Sequence, residues 1–274
     1  MRARLPIHYA WVMVAAAAVI GAVSAAVRFS FAVLIDPLHM EFGWSHAHIS
    51  GSWSISFIAM GLSAIAAGWL SDRFGIRKVL LAALALFVAG MLLTGYVRSL
   101  WQLYLYNGVL VGASMSLFQT PTVNALTYWF RKRIGVAVGI AMAAQGIGPV
   151  AMVPLTRYWL ASLGWQETFL VLGLGGGVIL FAASLLVRAT PASMGLAAYG
   201  DGTAASTEPI TTLDESVTRR AARHRNFWLL ILIHLLGCVG HSIPLVRGLH
   251  GHFRWRVGRR GGGRPQCADG GVHS

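Results

Sequence analysis

One arginine stands inside an otherwise apolar stretch, "SAAVRFSFAV", Ser24 to Val33. A guanidinium at the centre of a bilayer costs about 2.5–3.5 kcal/mol on insertion scales, so such a group faces a cavity or a partner. Arg28 therefore has two readings. It is a cation in a central cavity that attracts a carboxylate, or it snorkels toward headgroups or Asp36, two turns on. A second polar cluster, Gln119, Thr120, Pro121, Thr122 and Asn124, interrupts a later apolar stretch. Proline leaves a backbone carbonyl without its amide donor, and nearby polar side chains or water must satisfy it. The cluster thus lines a wet path or stabilises a kink between packed helices. Tyr104, Asn107 and Gln145 are candidates of the same sort. His234 and His241 fall in a further apolar run, where imidazoles suit a coupling proton or a packing hydrogen bond. Nothing in the chain resembles a nucleophile, base and oxyanion arrangement or a pair of catalytic carboxylates. Cys238 and Cys267 lack metal-ligand spacing. The expectation is a binding protein without enzyme activity, metal or cofactor.

These residues need elements to hold them. Of 274 residues, 56% are hydrophobic and only 11% charged, against roughly 25% charged in soluble domains. Apolar runs predict helices near 10–35, 50–70, 79–97, 101–129, 134–160, 167–187 and 227–246. Each is long enough to cross about 30 Å of hydrocarbon, and helices satisfy every backbone amide internally. The first run is too long for a cleaved signal segment.

The net charge of +13 is distributed by side. Arg2, Arg4, Arg73, Arg77, Lys78, Arg131, Lys132, Arg133, Arg188, Arg219, Arg220, Arg223 and Arg225 fall in alternate connections. The other connections hold Arg98 and Arg157, with Asp36, Glu41 and Glu167. This asymmetry predicts a cytoplasmic N-terminus in a multi-pass inner (plasma) membrane protein, and topology rather than nucleic-acid binding accounts for the arginines. His39, His46 and His48, in the first outer connection, are expected to be solvated.

The domain organisation follows: a six-helix bundle over 1–187, a polar Ala/Thr/Ser/Gly-rich cytoplasmic linker over 188–226, a seventh helix over 227–246, and a basic tail over 247–274. With seven spans the tail lies outside, where its six arginines oppose the charge bias. It is expected to be out of frame, disordered and functionless after about Val246.

Identity comes from "GWLSDRFGIRKVL", Gly68 to Leu80. Gly68, Leu70, Asp72, Arg73, Gly75, Arg77 and Lys78 match Gly-x-Leu-x-Asp-Arg-x-Gly-x-Arg-Lys, and the stretch resembles the signature loop of the major facilitator superfamily. Gly68 suits close helix approach and Gly75 a tight turn. Asp72, among three cations, can pair with them or with the positive end of a helix. The resemblance implies a conformational latch between the two six-helix halves of a rocker-switch carrier.

A second stretch, "YWFRKRIGVAVGIAMAAQGIGP", Tyr128 to Pro149, resembles the fourth-to-fifth helix junction of monocarboxylate and oxalate/formate-type carriers. Gly135 and Gly139 make a GxxxG step, and Gly148-Pro149 is similar to the superfamily's fifth-helix Gly-Pro. Met152 and Val153 replace an expected Gly-Gly, and Asn107 stands where many drug/proton antiporters have arginine. The resemblance implies an all-α secondary transporter of a small organic anion, such as a monocarboxylate, oxalate or formate. Substrate would bind between the halves, with a coupling proton or exchanged anion and the lipid bilayer as the other partners. A truncated remnant or a half-carrier acting as a scaffold is the alternative. "GLGGGV", Gly173 to Val178, lacks the strand a dinucleotide loop needs and reads as helix packing.

Overall fold

The computed structural model describes residues 8–200 and, singly, Arg225 and Leu229. The expected seventh helix, with His234 and His241, and the basic tail lie outside the described residues. The described helices form one compact unit within Met1–Ala205. They are α1 (Tyr9–Phe42), α2 (His46–Phe74), α3 (Ile76–Gly95), α4 (100–129), α5 (Ile134–Leu163) and α6 (Trp165–Leu186). All but α4 are uninterrupted and long and apolar enough to cross a membrane. α4 is α-helical at Leu100–Leu103, π-helical at Tyr104–Val111 and α-helical again at Gly112–Trp129.

The turns are short and locally encoded. Gly43, Gly75 and Gly164 sit at positive φ between consecutive helices, a region open to glycine at no steric cost. Ser45 caps α2, its hydroxyl accepting from the His48 amide at 3.2 Å. The α1 helix runs seven residues beyond the expected Ile35, through Pro37, before Gly43 ends it. The apolar run marked only its hydrocarbon part, and the polar last turns stay helical by backbone bonding.

α1 is the central element, packing on α5 and α6, while α2 lies on α4 and α3 on α6 and α4. Met13, Ile20, Leu34 and Leu38 of α1 meet Leu80, Phe87 and Met91 of α3, Phe118 of α4 and Phe169 of α6 in one buried cluster. Because lipid is as apolar as this core, close packing of small residues must hold the helices together. A Cβ at Gly173 would lie 2.7 Å from the Cβ of Met91, and one at Gly177 2.7 Å from Val88. The glycine run of α6 is therefore the seat of α3. α2 and α5 turn apolar side chains outward, among them Leu62, Ile65, Ile147 and Val150.

The start of the expected linker is folded onto the bundle end that carries Arg73, Arg131 and Arg188. After α6, residues 187–200 include a short 3₁₀ turn, Pro191–Met194, and Val187 and Pro191 are buried. Tyr199 pairs with Phe130 in an isolated parallel bridge. Its amide donates to the Trp129 carbonyl at 2.8 Å, and its carbonyl accepts from Arg131 and Lys132. Its ring meets those of His8, Trp11 and Phe130. The Trp129 indole N–H donates to the Arg188 carbonyl at 3.1 Å. Aromatic packing and the backbone pairing of Tyr199, which the polar composition conceals, hold this segment.

Candidate functional site

Arg28 projects from the middle of α1 and is partly buried. Its guanidinium carbon lies 5.3 Å from the Phe29 ring centre and 5.7 Å from that of Phe57. Both are within cation–π range. Among the described residues the one contact at salt-bridge distance is His46 Nε2 to Asp36 Oδ1, at 3.0 Å on the far end of the bundle. Arg28 has no counter-ion among them, and its Nε has no hydrogen-bond partner.

Two small cavities meet at Arg28, sharing Met60 and Met115. The larger, about 30 Å³, is lined among others by Trp53, Ser56 and Asn107. The smaller, about 10 Å³, is lined among others by Ser24, Gln119 and Gln145. The Oγ of Ser24 and the Nε1 of Trp53 are buried without a partner. Gln119 donates its amide to Gln145 Oε1 at 3.3 Å, and Gln145 donates in turn to the sulfur of Met142. The site is thus rich in donors. Its lining residues carry a guanidinium, an indole, hydroxyls and amides, and none of them is a carboxylate.

The backbone explains how these groups converge. Asn107 lies in the π-helical stretch of α4, a geometry frequent at functional sites, and is buried. Directly after it, Gly108 and Gly112 seat α4 on α2. A Cβ at Gly112 would stand 2.7 Å from the Ser56 carbonyl oxygen, and one at Gly108 2.9 Å from Ile55 Cγ2. On the other side, Gly21 leaves room for Gln145, whose Cγ would be 3.0 Å from a Cβ there. Gly148 abuts the Ala22 carbonyl, and Pro149 continues the same turn inside α5. Buried Thr156 donates to Ser30 at 2.9 Å, a further tie between α5 and α1.

The structure therefore brings together Arg28, Asn107, Gln119 and Gln145, and leaves two candidates elsewhere. The Tyr104 hydroxyl donates to the His48 carbonyl at 2.9 Å, joining α4 to the start of α2. Asn124 is exposed and lines neither cavity. In α4, Thr122 bonds back to the Phe118 carbonyl at 2.7 Å, one turn before. Gly135 and Gly139 face open space, since a Cβ at either would meet nothing within 4 Å. Their GxxxG step packs on no described helix.

The signature loop forms the α2–α3 turn. Gly75, at φ 83° and ψ 148°, occupies a conformation essentially reserved for glycine. Asp72, Arg73, Arg77 and Lys78 are exposed, and Arg73 lies 5.3 Å from the Trp69 ring centre. Asp72 forms no ion pair among the described residues. A Cβ at Gly68 would meet nothing within 4 Å, so no described helix makes a close approach there. Among the described residues no His, Cys, Asp and Glu side chains group as a metal site.

A family model for the Major Facilitator Superfamily matches residues 17–254. The chain belongs to this superfamily. It is accordingly a multi-pass membrane protein. Monocarboxylate transporter 11 of Mus musculus is 27% identical over 165 residues, covering 60% of this chain and 37% of that protein. Monocarboxylate transporter 13 of Rattus norvegicus is 30% identical over 163 residues, covering 60% and 38%. The MFS-type transporter YhjX of Escherichia coli is 25% identical over 193 residues, 70% of this chain and 46% of that one. The chain thus spans less than half the length of these relatives. The inward-open xylose transporter XylE of E. coli superposes with a TM-score of 0.57 at 14% identity, over 67% of this chain and 49% of that one. That likeness supports a major facilitator fold.

Three further features of this superfamily member belong to the site. The Gly108–Gly112 step is legible as GxxxG and packs on α2. Ser24 lies one helical turn before Arg28, on the same face. Trp53 had no local signal, because only the crossing of α2 over α1 brings its indole to the cavity.

Proposed function

We propose that this chain belongs to a secondary active transporter that moves a small organic anion, a monocarboxylate or oxalate or formate, by alternating access. A proton or an exchanged anion drives it. Arg28 receives the carboxylate, and Asn107, Gln119 and Gln145 supply neutral hydrogen bonds around it. His234 and His241 are the proposed proton-coupling groups. Asp72, with Arg73, Arg77 and Lys78 around the Gly75 turn, acts as a latch at the cytoplasmic surface. The N-terminus lies in the cytoplasm and the protein in the plasma membrane.

The observation that carries this reading is Arg28 itself, with no counter-ion among the described residues, between two polar-edged cavities. A bound carboxylate supplies the missing charge and two acceptor oxygens. The resemblance to monocarboxylate transporters points the same way.

Ligand-dependent stabilisation of the purified chain in detergent tests it, because a ligand that binds only the native state raises the melting temperature. Lactate, formate or oxalate is expected to raise it. Arg28→Gln is expected to weaken that binding by about ten-fold or more, the scale of a lost charged hydrogen bond. Equal stabilisation of the Arg28→Gln variant would overturn the assignment of Arg28. No stabilisation by any of the three anions would overturn the carboxylate reading.

A further inference from the structure

The turn between α1 and α2, at the end of the bundle away from the signature loop, gathers three titratable side chains. His46, the first residue of α2, places its Nε2 3.0 Å from Oδ1 of Asp36. An ionised carboxylate only accepts, so the imidazole N–H donates. His39, in the last turn of α1, is held by a second bond, its Nδ1–H donating to the Trp44 carbonyl at 2.6 Å. The two rings lie 4.3 Å apart, tilted by 38°. Each imidazole keeps one bare nitrogen, His39 its Nε2 and His46 its Nδ1, and takes a proton there without losing its bond. A first added charge is offset by Asp36. A second sets two cations side by side with one carboxylate in contact. The positive end of α2 adds to the cost at His46, whereas the C-terminus of α1 favours a cation at His39. The surroundings bring no further compensation. Among the described residues no other carboxylate, Glu41 of α1 and Glu167 of α6 included, contacts either ring, and neither Arg98 nor Arg157 contacts Asp36. From α4 the Tyr104 hydroxyl bonds the His48 carbonyl, and from α6 Trp165 meets Phe42.

We propose that Asp36, His39 and His46 form a pH-sensitive clasp, which pins the start of α2 to the end of α1 while it carries at most one added proton and releases it when both imidazoles are charged. Imidazole is the side chain whose charge ordinarily changes between about pH 5 and 8, so release follows mild acidification. The two protons act on the cluster as a unit, because each ring feels the other's charge. The clasp matters to the bundle because α1 packs far more sparsely on α2 than on α5. At the same end Tyr104 ties α2 to α4, so it is the seam between α1 and α2 that yields. Arg28 of α1 and Ser56 and Phe57 of α2 line the larger cavity across that seam. The inference is independent of which ligand, if any, Arg28 receives.

The test is the melting temperature of the full chain in detergent at pH 8 and at pH 5, unsubstituted and as His39→Gln and Asp36→Asn. Each chain is compared with itself at the two pH values, so a substitution that only perturbs packing shifts both readings alike. His39→Gln removes one of the two cations and keeps the bond from His46 to Asp36. Its loss of melting temperature on acidification should be smaller than the parent's by about 2–4 °C, the scale of two charges at this separation in a mostly aqueous setting. Asp36→Asn removes the compensating anion, and its loss should exceed the parent's by a similar amount. Should either variant fold poorly, hydrogen exchange of the unsubstituted chain reads the clasp directly. The Gly43 amide donates to the His39 carbonyl at 2.9 Å, and its protection, corrected for intrinsic pH dependence, should fall by about five-fold between pH 8 and pH 5. Parallel losses in all three chains, or unchanged protection of Gly43, would overturn the proposal.

Discussion

Gly148 of α5 lies against the carbonyl oxygen of Ala22 on α1 so closely that a Cβ there would collide with it. The obstacle is backbone on backbone, so no rotamer change can relieve it. Gly148→Ala is expected to push the helices apart and destabilise the bundle by about 1–3 kcal/mol, as overpacking does. Gly139→Ala is the comparison, because its Cβ meets nothing within 4 Å. That change should stay within about 0.5 kcal/mol of the parent. Melting of the two variants in the same detergent decides it, and equal losses would show that Gly148 is not a contact point.

The signature loop separates a folding role from a functional one. Gly75→Ala forces a Cβ into φ 83° and ψ 148°, strain of about 1–3 kcal/mol, and should lower the melting temperature. Asp72→Asn changes an exposed side chain without an ion pair among the described residues. It should leave melting unchanged while slowing anion uptake into vesicles, if the latch operates. Uptake at the parental rate would remove Asp72 from the mechanism.

The six described helices were legible because bilayer burial leaves long apolar runs, and Ser45, Gly75 and Gly164 punctuate them. Arg28 was legible for the opposite reason, since a charge inside such a run is costly and conspicuous. The contact between Gln119 and Gln145 was not. Both are polar residues in apolar helices, but their meeting depends on how α4 and α5 are rotated toward each other, which no local pattern records. GxxxG is a partial guide for the same reason. Gly108–Gly112 packs on α2, while Gly135–Gly139 meets no described helix, because the pattern shows that a close approach is allowed, not which face is covered. The π-helical stretch around Asn107 left no sequence signature either.

Residues 187–200 show how composition conceals a docked segment. Tyr199→Ala keeps the backbone pairing with Trp129, Arg131 and Lys132 but removes ring contacts with His8, Trp11 and Phe130. Aromatic pairs contribute about 0.5–1.5 kcal/mol each beyond burial. Amide hydrogen exchange at Tyr199, Arg131 and Lys132 should therefore speed up by about ten-fold or more in the variant. Unchanged exchange would mean that the backbone bonds alone secure the segment. Gly200, at φ 94° and tight against Lys132, should tolerate alanine poorly by the same readout.

The Gln119–Gln145 hydrogen bond, at 3.3 Å, is open to a double-mutant cycle. Each residue lines the smaller cavity with Arg28 and Ser24, and Gln145 is also pressed against α1 at Gly21. Gln119→Leu and Gln145→Leu should each destabilise the chain, since each leaves one polar partner unpaired in an apolar setting. The double variant should cost less than the sum, because neither partner then remains to be left unpaired. The expected coupling is about 0.5–1.5 kcal/mol. Anion binding gives the second readout. If the pair only ties α4 to α5, leucine at both positions should leave lactate affinity intact once stability is allowed for. If the amides form part of the wall around Arg28, affinity should fall in the double variant even where the melting temperature is restored. Strict additivity of the two single changes would show that the amides do not act together.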